Sequence, residues 1–262
     1  MIKTIHQQNP HSLNLRTMLN KVPEITLYFW LIKILCTTVG ETAADFLNTN
    51  LHLGLTGTTI VVGILLVLSL FFQFRSRKYI PGIYWLSVVL ISIFGTLITD
   101  NLTDNFGVSL ITTTVVFGII LTIVFALWFK IEKSLSIHTI TTIRREGFYW
   151  LTILFTFALG TAAGDLTAER LNVGYLLSAV LFGVLIAIVT VAHLRFKLNA
   201  VLSFWMAYIL TRPLGASIGD YLSQARTDGG LGLGTVVTSF LFLIVIAIIV
   251  VYLSSSRKDA VT

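Results

Sequence analysis

Charged residues and cysteine are both scarce in this sequence. Aspartate, glutamate, lysine and arginine make up 11% of the 262 residues, whereas soluble domains carry about a quarter. The single cysteine, Cys36, excludes a disulfide framework and a thiolate metal cluster. The sequence also lacks a nucleotide-binding loop, a zinc-protease motif and a Ser/His arrangement. We therefore expect neither a soluble domain nor a nucleic-acid partner, and we expect no enzymatic activity and no cofactor.

Apolar residues are abundant instead, at 55% of the chain, with a mean hydropathy of +0.88. They form eight windows of the ~20 residues that a helix needs to cross a bilayer. The windows are too long for membrane strands and do not alternate as strands do. The fold class that we predict is an all-α integral membrane protein in a lipid bilayer, with spans at 24–48, 53–74, 80–103, 108–131, 146–168, 173–195, 198–223 and 233–254.

Basic residues are distributed unevenly between the loops. Fourteen of the eighteen lysines and arginines fall on the side of the two termini, and only Arg170 and Arg226 fall on the other side. The positive-inside rule then places both termini in the cytoplasm. The polar first 22 residues have no apolar core, so we interpret them as a cytoplasmic tail and not as a signal peptide.

A motif, W-x9-G-x4-D, occurs four times and always in an odd-numbered span. It divides the chain into parallel two-span repeats at 23–78, 79–133, 146–197 and 198–258, with a cytoplasmic linker at 134–145 and a short tail at 259–262. We expect the glycine of each motif to let a neighbouring helix approach closely. The repeated residues are Trp30, Trp85, Trp150 and Trp205; Gly40, Gly95, Gly160 and Gly215; and Asp45, Asp100, Asp165 and Asp220.

These repeated residues resemble those of a bacterial multi-spanning membrane-protein family that is built of four tandem repeats of unknown function. The resemblance covers about residues 23–258. It implies an eight-span architecture and a bacterial inner-membrane location, and it implies no activity.

One face of each odd helix carries the residues at offsets 0, 7, 11 and 15 from the tryptophan, at 100° per residue. Ionisable groups at membrane depth face a bundle interior or a wet cavity, so this polar stripe predicts a shared pathway. The tryptophans would line this pathway at one end, although interfacial anchoring or core packing also explains their positions. Besides the tryptophans and aspartates, the predicted stripe residues are Thr37, Glu41, Ser92, Thr96, Phe157, Thr161, Arg212 and Ala216.

Carboxylates concentrate toward the outer end of the stripe. We predict that Glu41 and the four aspartates bind cations or accept protons, with Asp104 and Glu169 in an outer vestibule. The stripe carries no imidazole or thiolate, so its ligands favour H⁺, Na⁺ or a hard divalent ion such as Mn²⁺, Mg²⁺ or Ca²⁺. The predicted metal ligands are Glu41, Asp45 and Asp165.

Arg212 lies beside Pro213 near mid-bilayer and is the counter-charge of the stripe. Two interpretations stay open for it: a structural ion pair with Glu41 or an aspartate, and a tethered charge that competes with the transported cation. Lys33, in the first span, points 60° away from the stripe and is expected to extend inward.

Three functions follow from these residues. The leading hypothesis is a cation transporter or permease, with proton coupling left open. The alternatives are a non-transporting sensor, binding or assembly subunit and, more remotely, an intramembrane aspartyl hydrolase that would need two facing aspartates. A homo-oligomer is compatible with all three.

Overall fold

The computed structural model describes residues 20–50, 53–256 and 258–259. The predicted tails lie mostly outside these residues. The described part contains no strand and has eight long helices, which confirms the all-helical prediction. The helices are α1 (Leu27–Asn50), α2 (Gly54–Arg75), α3 (Pro81–Asp100), α4 (Leu110–Glu132), α5 (Ile143–Asp165), α6 (Tyr175–Phe196), α7 (Ala200–Ser223) and α8 (Thr235–Ser256).

Seven of these helices are long and apolar enough to cross a membrane. The eighth, α1, carries Lys33, Glu41 and Asp45 within its length. Short helical turns join the long helices, including π-helical turns at Asn101–Asn105 after α3 and Leu166–Arg170 after α5. The lengths and apolar character of the helices identify a membrane protein built of repeated helix pairs.

The four odd-numbered helices form an inner ring. In this ring α1 packs on α3 and α7, and α5 closes the ring by packing on the same two helices. The even-numbered helices lie outside it. In the most apolar stretch of each even-numbered helix, 22% of the residues are buried, against 56–67% in α3, α5 and α7. Each outer helix packs mainly on the inner helix of the next repeat: α2 on α3, α4 on α5, α6 on α7 and, closing the circle, α8 on α1.

The motif glycines set the spacing of the inner ring. A Cβ atom on any of them would stand 2.5–2.8 Å from the Cβ of the offset-7 residue in the next repeat, closer than real Cβ contacts allow. The predicted packing role of these glycines is thereby confirmed, because only a missing side chain permits this approach. The four contacts are Gly40 with Ser92, Gly95 with Phe157, Gly160 with Arg212, and Gly215 with Thr37.

A buried polar network closes the end of the ring where the inner helices begin. Lys21 donates to the Glu146 carboxylate at 2.6 Å and to the Phe74 carbonyl at 2.9 Å, and Gln73 donates to the same carboxylate at 3.1 Å. Lys21 and Val22 are buried. This part of the predicted tail is therefore packed against the bundle.

The other chain end lies beside the same region. Tyr79 donates to the Asp259 carboxylate at 2.6 Å, and the Glu24 amide donates to the Asp259 carbonyl at 3.0 Å. Burial, together with the hydrogen bond to Asp259, raises the pKa of Tyr79.

Substituting Gly215 by alanine should destabilise the ring. The new Cβ would overlap the Thr37 side chain and lie 3.0 Å from the Thr38 backbone nitrogen, so we expect a loss of about 1–3 kcal/mol from overpacking. Unfolding of the purified protein in detergent measures this. Gly147→Ala in α5 is the control, because nothing lies within 4 Å of its Cβ position. Equal stability of the two variants would contradict the role given to the motif glycine.

Candidate functional site

Equivalent positions of the four repeats form successive layers along the inner ring. The aspartates, at offset 15, lie at one end and the tryptophans, at offset 0, lie at the other, ~22 Å apart along the helices. We call these the aspartate end and the tryptophan end. The offset-7 and offset-11 side chains between them are fully buried or nearly so; they are Thr37, Ser92, Phe157 and Arg212, and Glu41, Thr96, Thr161 and Ala216.

An acidic cavity of about 180 Å³ opens at the aspartate end. All four motif aspartates line it, together with Glu41 and the two vestibule acids of the sequence analysis. Glu41 and Asp220 are buried, whereas Asp104 and Glu169 are exposed and mark the mouth. The full lining is Glu41, Asp45, Asn48, Leu55, Asp100, Thr103, Asp104, Leu110, Asp165, Glu169, Asp220 and Gln224.

Three of these acids are arranged as a set of metal ligands. One carboxylate oxygen from each of Glu41, Asp165 and Asp220 lies within 4.8 Å of the other two. The predicted metal set had Asp45 in the place of Asp220. Asp45 lines the same cavity one helical turn above Glu41, with the Gln224 amide 3.5 Å from its carboxylate, whereas Asp220 comes from the adjacent helix α7.

The two vestibule acids lie on the π-helical turns that follow Asp100 and Asp165. Thr103 donates to the Asp104 carboxylate at 2.9 Å, and Tyr175 donates to the Glu169 carboxylate at 3.1 Å. Such turns occur mostly as single interruptions of α-helices and often at functional sites. Both acids line the cavity, as predicted for an outer vestibule, but the π-helical turns that carry them were not predicted from the sequence.

Arg212 fills the ring directly beneath the acidic cavity and is fully buried. It forms an ion pair with the Glu41 carboxylate at 2.9 Å. It also donates to the Thr37 carbonyl at 2.7 Å, to the Thr161 hydroxyl at 2.6 Å and to the Thr96 hydroxyl. One guanidinium from α7 thus binds all three other inner helices.

Elsewhere in the cavity the acids are less compensated. Among the residues that the structure describes, no salt bridge joins Asp100, Asp165 or Asp220 to a basic side chain. Carboxylates gathered in a small volume repel one another unless a cation or protons offset their charge. The site is therefore an acidic cavity with one buried basic side chain, Arg212, at its base.

A buried lysine lies further along the ring, toward the tryptophan end. Lys33 is fully buried, and its amine nitrogen lies 4.0 Å from the centroid of the Phe157 ring and 4.2 Å from that of Tyr208. Within the described part of the chain this amine has no hydrogen-bond acceptor.

Aromatic rings fill the tryptophan end. Trp85, Trp150 and Trp205 are buried, and the indole of Trp205 donates to the Leu135 carbonyl at 2.9 Å. A second aromatic layer, which was not predicted from the sequence, is formed by the residues that directly precede each motif tryptophan. Its signal was available, since an aromatic residue stands there in every repeat: Phe29, Tyr84, Tyr149 and Phe204.

The comparison with protein families agrees with the repeat pattern. The sequence model of a family described as Repeat of Unknown Function (DUF347) matches four tandem segments, at residues 28–79, 83–134, 148–199 and 203–259. The resemblance drawn from the sequence is therefore confirmed. No curated protein and no solved structure matches the chain.

Removing one partner of the Arg212–Glu41 pair should be strongly destabilising. Arg212→Met leaves a buried carboxylate uncompensated, which typically costs about 3–5 kcal/mol. The double variant with Glu41→Gln should recover part of that loss, because no buried charge is then left alone. Unfolding in mixed micelles measures the wild type, Arg212→Met, Glu41→Gln and the double variant, with Arg195→Met at an exposed position as the control. Additive losses in the double variant would show that the two side chains do not interact.

Proposed function

We propose that this chain, which belongs to the family described as Repeat of Unknown Function (DUF347), binds a hard cation in its acidic cavity and carries it across the membrane. The observation that carries the proposal is the gathering of seven carboxylates around one cavity of about 180 Å³. An aqueous mouth lined by acids concentrates cations and repels anions. Rings of aspartate and glutamate serve cation selection in other membrane proteins.

The donor set favours a hard divalent ion. Carboxylates, the Thr103 hydroxyl and the Asn48 and Gln224 amides line the cavity, and no imidazole or thiolate is among the lining residues. Oxygen ligands of this kind suit Mn²⁺, Mg²⁺ and Ca²⁺. The close carboxylate oxygens of Glu41, Asp165 and Asp220 are the ligands that we propose for the ion.

Glu41 connects binding to movement in this proposal. Its carboxylate belongs both to the ligand set and to the ion pair with Arg212. A cation that recruits Glu41 therefore weakens the bond by which Arg212 ties α7 to α1. Because the ring is filled below the cavity by Arg212 and then by aromatic side chains, transport requires the inner helices to separate there.

The membrane setting is part of the same proposal. We place the chain in a bacterial inner membrane, as the family resemblance implies. We place both termini in the cytoplasm on the distribution of lysine and arginine between the loops. The acidic cavity then opens to the outside and the tryptophan end faces the cytoplasm.

One observation favours a second candidate, a binding or sensing module that does not transport. Arg212 bonds to three neighbouring helices and is fully buried, so the axis beneath the cavity is closed. In that case the cation would bind and change the helix packing without crossing. Binding and flux experiments separate the two candidates.

Cation binding should stabilise the purified protein. At a Mn²⁺ concentration of about 100 times Kd, the free energy of unfolding should rise by roughly 2.7 kcal/mol. Asp165→Asn and Asp220→Asn should each reduce this gain, because each removes a proposed ligand. Asp228→Asn, at an exposed acid outside the cavity, is the matched control. The measurement is thermal unfolding in detergent with and without Mn²⁺, repeated with Mg²⁺ and Ca²⁺.

Uptake into proteoliposomes then tests transport itself. The wild type and Asp228→Asn should carry the ion that stabilises them, and Asp220→Asn should carry it more slowly. Binding without uptake would favour the sensing module, and the absence of any ion effect on stability would remove both candidates.

A further inference from the structure

We propose that Lys33 couples cation binding to protons: a cation in the acidic cavity and a proton on the Lys33 amine disfavour each other. This inference rests on the proposed function, because it requires that the cavity bind a cation. It adds an exchangeable proton at a position outside the ligand set.

The surroundings of Lys33 place opposing demands on its charge. The amine is fully buried and, within the residues described, has no acceptor for its hydrogen bonds. Burying an ammonium under those conditions is costly. The faces of Phe157 and Tyr208, 4.0 and 4.2 Å from the nitrogen, attract a positive charge and offset part of that cost. Opposing effects of this kind suit a side chain that gains and loses a proton.

The Phe157 ring connects Lys33 to the cavity. Lys33 Nζ lies 4.0 Å from its centroid, and the guanidinium carbon of Arg212 lies 5.7 Å from the same centroid. Arg212 in turn holds the Glu41 carboxylate at 2.9 Å. From the cavity inward, the order is therefore the Glu41 carboxylate, the Arg212 guanidinium, the Phe157 side chain and the Lys33 amine. Two buried basic side chains thus lie against the same aromatic residue.

The sign of the coupling follows from this order. A bound cation attracts the Glu41 carboxylate, and the electrostatic attraction between Glu41 and Arg212 becomes weaker. An ammonium at Lys33 beside a less compensated guanidinium is disfavoured, because like charges repel more strongly when no counter-ion intervenes. Binding of one divalent ion therefore releases the Lys33 proton to water, so that a net charge of +1 enters the protein instead of +2.

Other ionisable groups adjoin Lys33. Cys36 lies one turn along the same helix, and α7 contributes Tyr208 and Arg212. An arginine guanidinium is not deprotonated in proteins. At the layer of Lys33, the other inner helices α3 and α5 contribute Val88 and Ile153, which do not titrate. The outer helix α8 also packs on α1, but its one titratable residue, Tyr252, lies against Tyr28. Cys36 and Tyr208 are therefore the groups from which Lys33 must be separated by experiment.

The experiment measures Mn²⁺ affinity of the full-length protein in detergent as a function of pH, together with proton release into a weakly buffered solution. In Lys33→Met the slope of log Kd against pH should fall by up to one proton, and Mn²⁺ should bind at least as tightly as in the wild type. In Lys33→Arg the slope should fall equally, but Mn²⁺ should bind several-fold more weakly than in Lys33→Met at every pH, because the charge of the arginine is permanent. Cys36→Ala, Tyr208→Phe and the exposed Lys130→Met should keep the wild-type slope.

The outcomes distinguish this inference from the proposed function. If the wild type and Lys33→Met bind Mn²⁺ with the same proton release, the coupling through Lys33 is wrong while the cation site stands. If Cys36→Ala or Tyr208→Phe removes the proton instead, the carrier is that residue and not Lys33. If Mn²⁺ binds to none of the proteins, the proposed function itself fails. Lys33→Arg keeps the inference testable where the methionine variant does not fold.

Discussion

The close approach of backbones at four repeated glycines is the constraint on which the rest of the structure depends. Each glycine receives the offset-7 side chain of the next repeat, so the four inner helices stand too near one another to leave a continuous aqueous channel between them. Side chains from all four repeats consequently meet in layers along the axis. This proximity is why a single guanidinium, that of Arg212, reaches three other helices, and why carboxylates from four helices border one small cavity.

The two ends of the ring have opposite characters for physical reasons. At the aspartate end, carboxylates near the last turns of α-helices oppose the helix dipole and repel one another. Both effects disfavour the folded state, so a contribution to stability does not explain the arrangement. At the tryptophan end, aromatic rings in mutual contact and the buried Lys21–Glu146 pair fill the space between the helices. Buried aromatic side chains thus lie at one end and a cluster of carboxylates at the other, and Arg212 and Lys33 lie between them.

Much of this could be read from the sequence, because lipid makes hydrophobic patterning unambiguous. The eight helices followed from apolar run lengths, and the tandem repeats from the spacing of tryptophan, glycine and aspartate. Contacts between repeats could not be read in this way. Nothing in the local sequence indicates that α2 packs mainly on α3, that carboxylate oxygens of Asp220 and Glu41 lie within 4.8 Å of each other, or that Asp100 is followed by a π-helical turn. The rings that face Lys33 belong to Phe157 and Tyr208, which lie far away in the chain, so the local sequence does not reveal them.

The joint between successive repeats has a consequence for how such a molecule arises. Every two-helix unit carries both halves of the joint, the glycine notch and the residue that fills it, so the interface is heterologous and closes at four copies. A free-standing unit with these features would assemble as a symmetric tetramer in which any new charge appears four times. Fusion into one chain removes that symmetry requirement. It allows a single glutamate in the first unit to face a single arginine in the last, a pairing that no homotetramer can build just once.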